Sequence, residues 1–158
     1  MKILITGGNN AKALKLLKAF PNHFILLADY GDVPGMSTVH YAFKTLGILN
    51  KDSIAHILLN FCITESIDAI IPLNSYEIEP IAKSAVLFNE YGIEVLTPDA
   101  DSLNVFLAED KAYSNFAVFI KGECIFASGA EIFIKRDDNV SGVFGYNAPN
   151  DDLKLFTI

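Results

Sequence analysis

Short, continuous runs of apolar residues alternate with amphipathic segments along the first hundred or so residues of the chain. Runs of about four to eight such residues are typical of strands that are buried on both faces of a sheet. The clearest runs are KILIT (2–6), HFILLA (23–28), DAIIPL (68–73) and IEVL (93–96). A further run, VHYAF (39–43), is a candidate for a short strand.

The segments between these runs place apolar residues at helical spacing. After the first run, Ala13, Leu16 and Phe20 share one face, and lysines occupy the other face. The later predicted helices begin, in chain order, after Asp52, near Tyr76, after Asp99 or Asp101, and near Glu109, and the last of them ends at about Val118. This alternation of strand and helix predicts a parallel sheet with right-handed crossovers.

The pattern changes after Ile120. The short runs ECIFA (123–127), EIFIK (131–135) and GVFGY (142–146) are separated by turn-forming residues, which predicts antiparallel strands. The segment APNDDLKLF (148–156) is predicted to begin a short helix with Asn150 as its cap. The sequence therefore predicts an α/β chain, with a Rossmann-like open parallel sheet flanked by helices over residues 1–120. A short antiparallel β tail is predicted over residues 121–158.

Composition narrows the possible classes of function. The 158 residues include 12 Lys and Arg against 19 Asp and Glu, for a formal charge of −7, and there is no basic run. A nucleic-acid-binding surface needs clustered cationic side chains, so we expect no nucleic-acid partner. The apolar runs are too short to cross a bilayer, so we expect no membrane partner. Cys62 and Cys124 are two separate thiols, which favours the reducing cytoplasm.

The turn that follows the first strand is rich in glycine but departs from the dinucleotide-binding fingerprint. That fingerprint needs three spaced glycines, whereas Gly7 and Gly8 are adjacent and the next glycine is Gly31. Asp29, at the end of the second strand, has the position of an acid that accepts a ribose hydroxyl in NAD-binding proteins. An aspartate at a strand end is also a common turn former, so this feature alone leaves the NAD interpretation open.

Two βα junctions are candidates for a ligand site. The Gly7-Gly8 turn and the amides of Asn9 and Asn10 could bind an anion at a helix start, or Asn10 could simply cap the helix. Asn74 and Glu77 follow the strand DAIIPL and would lie beside that turn, at the carboxyl edge of the sheet. These two residues are equally consistent with an ordinary helix start, so both interpretations stay open.

Three segments together resemble one family. They are KILITGGNN (2–10), the stretch from IDAIIPLNSYE to EDKAYSNF (67–116), and AEIFIKRDDNVSGVFGYNAPNDDLKLF (130–156). Their order resembles the Rossmann-like pre-ATP-grasp domain at the start of ATP-grasp ligases, in the branch of the large subunit of carbamoyl phosphate synthase.

The resemblance implies a nucleotide site with two lysines. Lys111 resembles the lysine at the start of the ATP-grasp region, and Lys135 resembles the strand lysine that contacts nucleotide phosphates. The segment RDDNVSG (136–142) stands in place of the family's glycine-rich loop, and its two acids oppose phosphate binding. The family's Mg²⁺-binding residues have no counterpart here, so we expect no catalysis by this chain alone. ATP and Mg²⁺ are implied as cofactors only if a partner chain completes the site.

These observations give three hypotheses of function. The first is a domain of a split or truncated ATP-dependent carboxylate–amine or ammonia ligase, which docks onto a separately encoded ATP-grasp subunit or binds a small ligand. The expected ligand-binding residues are Gly7, Gly8, Asn9, Asn10, Asp29, Asn74 and Glu77. The second is a stand-alone NAD(P)- or nucleotide-binding Rossmann protein. The third is a non-catalytic interaction module whose tail strands pair with a second copy as a homodimer.

Overall fold

A computed structural model describes residues 1–107, 112–129, 140–148 and 152–158. The described strands are β1 Lys2–Thr6, β2 Phe24–Asp29, β3 Tyr41–Thr45, β4 Ala69–Ile71, β5 Glu94–Val95, β6 Asn115–Ile120, β7 Glu123–Ala127, β8 Gly142–Tyr146 and β9 Lys154–Leu155. The described helices are α1 Ala11–Lys15, α2 Ile54–Thr64, α3 Ser75–Lys83, α4 Ala85–Glu90 and α5 Leu103–Phe106, and a 3₁₀ turn, Leu16–Ala19, continues α1.

The first five strands form one parallel sheet in the order β3-β2-β1-β4-β5. β1 lies at the centre, where Ile3 is level with Ile25 of β2 and with Ala69 of β4. The predicted Rossmann-like α/β fold is therefore confirmed. The strand order changes direction between β1 and β4, because β2 and β3 lie on one side of β1 and β4 and β5 on the other.

Both faces of the parallel sheet are buried, which explains why its strands are continuous apolar runs. Ile3 and Ile5 point to the side of α1, where they join a core with Leu16. Leu4 points to the opposite side and joins a core with residues of α2 and α3, including Cys62. Burial of Cys62 raises the pKa of its thiol to about 12, so this cysteine is a packing residue.

The second sheet is antiparallel, with the order β7-β6-β8-β9. One of its faces supplies Phe116, Val118 and Val143 to the core on the α1 side of the parallel sheet. Its other face forms a third core with residues of α3 and α5, including Ile78 and Leu103. The two sheets therefore share one apolar core, on the α1 side of the parallel sheet.

Two helices predicted in the last third of the chain are wrong. The helix predicted to end at about Val118 is replaced by strand β6, whose residues Phe116 to Phe119 are almost completely buried because both faces of the strand are covered. The helix predicted within 148–156 is replaced, in its described part, by strand β9. Asn150 and the predicted strand EIFIK lie outside the described residues. The strands predicted at ECIFA and GVFGY are confirmed as β7 and β8.

The sequence also predicted a domain boundary and a mode of self-association. The division at residue 120 stays a prediction, as does pairing of tail strands between two copies.

Within the described ranges, no helix combines the length and the apolar character needed to cross a bilayer.

Candidate functional site

The carboxyl ends of β1, β2 and β4 meet at one edge of the parallel sheet. β1 ends in a turn in which Gly7 has a φ of +70°, a conformation that favours glycine. The Gly8 N–H donates to the carbonyl oxygen of Ala28 at 2.9 Å. A Cβ atom on Gly8 would lie 2.9 Å from main-chain atoms of Leu27 and Ala28, so the turn packs directly on β2. The two glycines therefore allow this close packing of turn and strand.

The polar residues of this turn mainly hold its shape. Asn10 Oδ1 accepts a hydrogen bond from the N–H of Lys12 at 2.9 Å, which confirms Asn10 as the cap of α1. Asp29 Oδ2 accepts from the Asn9 N–H at 3.1 Å, and Asp29 Oδ1 accepts from the Tyr30 N–H at 2.9 Å. The Asn9 amide donates to a carbonyl oxygen of the following loop. The end of β2 and the glycine turn are thus fastened to each other.

A fully buried carboxylate, Glu77, connects three of the elements at this edge. Its Oε1 accepts from the hydroxyl of Thr6 at 2.6 Å and from the N–H of Asn74 at 3.1 Å. Its Oε2 accepts from the hydroxyl of Tyr30 at 2.8 Å. The hydroxyl of Thr6 in turn accepts from the N–H of Leu73 at 2.8 Å. This network joins β1, the end of β2 and the start of α3.

Burial shifts the pKa values of Glu77 and Tyr30 in this network. Desolvation raises the pKa of Glu77, and the hydrogen bonds from Thr6, Tyr30 and Asn74 partly offset this rise because they favour the charged form. Desolvation and the neighbouring Glu77 carboxylate raise the pKa of Tyr30 far above its ordinary value. Donors of the protein itself already occupy both oxygens of the Glu77 carboxylate. We therefore interpret the network as a scaffold.

Asn74 is the N-cap residue of α3. Among the described residues, it is the one whose side chain has a buried nitrogen or oxygen atom without a hydrogen-bond partner. The residue is 7% exposed, and the unpartnered atom is the donor Nδ2. Its Oδ1 lies 3.4 Å from the position that a Cβ on Gly7 would take. The predicted neighbourhood of Asn74 and the glycine turn is therefore present in the structure.

The segment Phe156–Ile158 lies across the same edge. The Ile158 N–H donates to the carbonyl oxygen of Leu73 at 2.8 Å, and the Ser75 N–H donates to the main-chain oxygen of Ile158 at 3.3 Å. A Cβ on Gly7 would collide with Cδ1 of Ile158, so the isoleucine side chain lies directly on the turn. Lys12 Nζ donates to the main-chain oxygen of Thr157 at 3.1 Å.

The structure thus brings together all seven predicted ligand-binding residues near one edge of the sheet, and it adds residues that sequence reasoning missed. Thr6 is a polar residue at the end of an apolar run, and Tyr30 directly follows a strand, but neither feature reveals a partner some tens of positions away. The segment 148–156 was predicted only to begin a short helix, which did not indicate that residues 156–158 lie against the glycine turn. Lys111 and Lys135 are outside the described residues. Among the residues that the structure describes, no group of His, Cys, Asp and Glu could hold a metal ion.

Comparison with known proteins gives few matches. No protein-family model and no curated protein matches the sequence. Among solved structures, the dTDP-glucose 4,6-dehydratase of Bacillus anthracis str. Ames, in complex with NAD, has 14% sequence identity and a TM-score of 0.39 over 72% of this chain and 42% of that chain. A short chain dehydrogenase family protein of Francisella tularensis subsp. tularensis SCHU S4 has 16% identity and a TM-score of 0.34 over 71% of this chain and 55% of that chain. The chain thus spans about half the length of these two proteins.

These findings contradict the resemblance to ATP-grasp ligases. Neither the family models nor the curated proteins support it, and the two solved structures are a dehydratase and a dehydrogenase family protein. The assignment to carbamoyl phosphate synthase-like ligases was therefore wrong, as was the split-ligase function derived from it. The physical reason is that the quoted segments consist of features common to α/β domains. KILITGGNN is a buried strand with a tight turn, and IIPLNSYE is a buried strand followed by a helix cap.

Proposed function

We propose that this chain is a nucleotide-binding Rossmann domain that takes NAD(P) or a related nucleotide at the carboxyl ends of β1, β2 and β4. The observation that carries the proposal is the reversal of strand order between β1 and β4. Open α/β sheets bind ligands in the crevice outside the strand ends at such a switch point. Here the Gly7-Gly8 turn and the Asn74 end of α3 form the two sides of that crevice.

Each side of the crevice offers groups suited to a nucleotide. Gly7 and Gly8 are buried, and because they carry no side chains the turn allows a phosphate to approach its main chain closely. Each carboxylate oxygen of Asp29 accepts one main-chain N–H, at Asn9 or at Tyr30, and an oxygen of this type has room for a second donor. Asp29 can therefore accept a ribose hydroxyl without releasing the turn.

The proposed activity is binding, with the Glu77 network fixing the geometry of the crevice. Because the Thr6, Tyr30 and Asn74 donors already hold the Glu77 carboxylate, the strand ends keep their positions when a ligand enters. Such preorganisation lowers the entropy lost on binding.

The experiment is a thermal-shift and calorimetric titration of the full chain with NAD⁺, NADH, NADP⁺ and ADP. A ligand present at one hundred times its dissociation constant stabilises the folded state by about 2.7 kcal/mol, which raises the melting temperature measurably. We expect at least one of these nucleotides to bind. Absence of stabilisation by all four would overturn the proposal.

A matched pair of variants locates the site. Asp29→Asn removes the charge that would accept the ribose hydroxyl, and we expect it to weaken nucleotide binding about tenfold, as a charged hydrogen bond implies. Asp32→Asn makes the same chemical change at an exposed neighbour that contributes only its carbonyl oxygen to the turn, so its affinity should match the wild type. Equal affinities of the two variants would place the ligand elsewhere.

The compartment is part of the same proposal. Both described cysteines are free thiols, Cys62 buried and Cys124 half-buried. Unpaired thiols suit a reducing environment, so we place the domain in the cytoplasm.

A further inference from the structure

Three features occupy one small space at the switch point. The side of Gly7 that would carry a side chain faces Cδ1 of Ile158, and it also faces Oδ1 of the Asn74 side-chain amide. The Ile158 main chain is held at the same place, because its N–H and oxygen bond to Leu73 and Ser75 on either side of Asn74. The segment Phe156–Ile158 therefore fills the crevice to which we assign the ligand.

The start of α3 shows which kind of group suits this space. An α-helix leaves its first N–H groups without partners inside the helix, and they favour an acceptor oxygen or an anion. In α3, which has nine residues, the N–H of Ser75 is met by the main-chain oxygen of Ile158 at 3.3 Å. An oxygen atom from the chain itself thus stands where a ligand oxygen would be accepted.

The Asn74 amide gives an independent indication of a missing acceptor. Its Nδ2 is buried and has no hydrogen-bond partner among the described residues. Buried polar atoms in folded proteins nearly always have a partner, so such a donor indicates a group that is absent. The main-chain oxygen of Ile158 meets the donor at Ser75, and the donor at Asn74 remains unmet.

The attachment of the segment determines what can move. Phe156 is 5% exposed, its N–H donates to the carbonyl oxygen of Val143 at 2.9 Å, and its ring lies 5.7 Å from that of Phe116. Ile158 is only half-buried and contacts the crevice. Thr157 is buried, and the hydrogen bonds of Thr157 and Ile158 to Lys12, Leu73 and Ser75 must break before these two residues leave the crevice. Phe156 can stay in the core when they do.

On the basis of the function proposed above, we propose that residues 157 and 158 form a self-occluding strap. The strap covers a subsite for a phosphate group of the nucleotide, built from the Ser75 N–H, the Asn74 amide and the Gly7 turn. When the phosphate enters, its oxygens replace the main-chain oxygen of Ile158 and satisfy Asn74 Nδ2. Lys12 Nζ, which now contacts the main-chain oxygen of Thr157, exchanges that oxygen for one of the phosphate. The strap and the phosphate of the nucleotide therefore compete for the same subsite.

Ile158→Ala tests the competition, with Ile63→Ala as its matched control. Ile158→Ala removes the side chain that lies on Gly7, whereas Ile63 is an exposed isoleucine of α2. If the wild-type strap leaves the crevice open about a tenth of the time, the variant should bind ADP up to about tenfold more tightly, because apparent affinity scales with the competent fraction. Ile63→Ala should bind ADP like the wild type.

Adenosine and inorganic phosphate separate the parts of the proposal. Adenosine lacks a phosphate, so its affinity should be the same for wild type and Ile158→Ala. In ¹⁵N spectra of Ile158→Ala, inorganic phosphate should shift the main-chain signal of Ser75 and the side-chain amide signal of Asn74.

The outcomes distinguish the strap from the nucleotide function. Equal ADP affinity of wild type and Ile158→Ala, or an equal gain for adenosine, overturns the strap and leaves nucleotide binding standing. If NAD⁺, NADH, NADP⁺ and ADP all fail to bind but phosphate shifts Ser75 and Asn74 more strongly in Ile158→Ala than in wild type, the strap stands and the nucleotide function falls. Absence of any phosphate shift at Ser75 and Asn74 overturns the phosphate subsite.

Discussion

Two βα junctions flank the central crevice, and they are built in opposite ways. The β1–α1 junction depends on the absence of side chains, since Gly7 has a positive φ and Gly8 has no room for a Cβ beside β2. The β4–α3 junction depends on side chains, since Glu77 and Asn74 form a capping box and Glu77 also binds Thr6 and Tyr30. The conformation of the first junction depends on close packing around residues without side chains. The conformation of the second depends on buried side-chain hydrogen bonds.

This difference has a consequence for the way in which each junction fails. A junction specified by space is damaged by adding atoms, because the interior is close-packed and main-chain atoms cannot move aside easily. A junction specified by buried hydrogen bonds is damaged by removing atoms, because each abandoned polar group then lacks a partner. Matched substitutions at the two sites can measure the contrast.

The largest effect is expected for Glu77→Ala. The substitution removes the acceptor of Thr6, Tyr30 and the Asn74 N–H, and we expect it to lower the free energy of unfolding by about 3–5 kcal/mol in urea titrations. Glu79→Ala is the control on the same helix. Glu79 is exposed and pairs with Lys83 on the surface, so its removal should change stability little. Equal effects of the two variants would show that the buried network contributes no more to the free energy of unfolding than a surface ion pair does.

A smaller effect is expected for Gly8→Ala. The added Cβ would lie 2.9 Å from main-chain atoms of β2, and we expect a loss of about 1–3 kcal/mol from overpacking. The control is Gly35→Ala, because a Cβ on Gly35 has no atom within 4 Å and its φ is ordinary. The same urea titration should show the control unchanged or slightly stabilised. A neutral Gly8→Ala would mean that the turn is looser than its packing indicates.

The smallest effect is a dependence on pH that only the second junction should show. Burial raises the pKa of Glu77 in the folded state above the ordinary value of 4.5. Between these two values the folded state keeps a proton that the unfolded state has released, so this contribution to the free energy of unfolding falls as pH rises. Below the ordinary value the contribution is fully present.

The measurement compares wild type with Glu77→Gln, which removes the titrating group and keeps its size. From about pH 4.5 upward, the wild type should lose stability relative to this variant. Gly8→Ala retains Glu77 and should follow the wild-type slope. A difference between wild type and Glu77→Gln that stays constant over about pH 4 to 8 would contradict a raised pKa.

The parallel sheet was predictable because its information is local. The runs at 2–6, 23–28 and 68–73 are apolar at every position that both faces of a sheet must bury, and Gly7 and Asn10 mark a turn and a cap by their own chemistry. Strand β6 was mistaken for a helix because a short apolar run fits both periods. Its pairing with β8, more than twenty residues later in the chain, settles the conformation.

The site was only partly predictable, because its decisive contacts are distant in sequence. Asn74 and Glu77 could be placed beside the glycine turn from the rule for parallel sheets, and the structure brings them there. Two contacts depend on how the loops pack over the edge of the sheet. They are the hydrogen bond from Tyr30 to Glu77 and the packing of Ile158 on Gly7. No local pattern of residues encodes such closure.

The sharing of one core by two sheets has a consequence for folding during synthesis. All strands of the parallel sheet have been made once Val95 leaves the ribosome, yet the face that carries Ile3 and Ile5 is completed by Phe116, Val118 and Phe156. Until those aromatic and aliphatic side chains emerge, the nascent chain exposes an apolar surface that other chains and chaperones can bind. We expect the protein to become resistant to proteases late, when its final strands join the sheets.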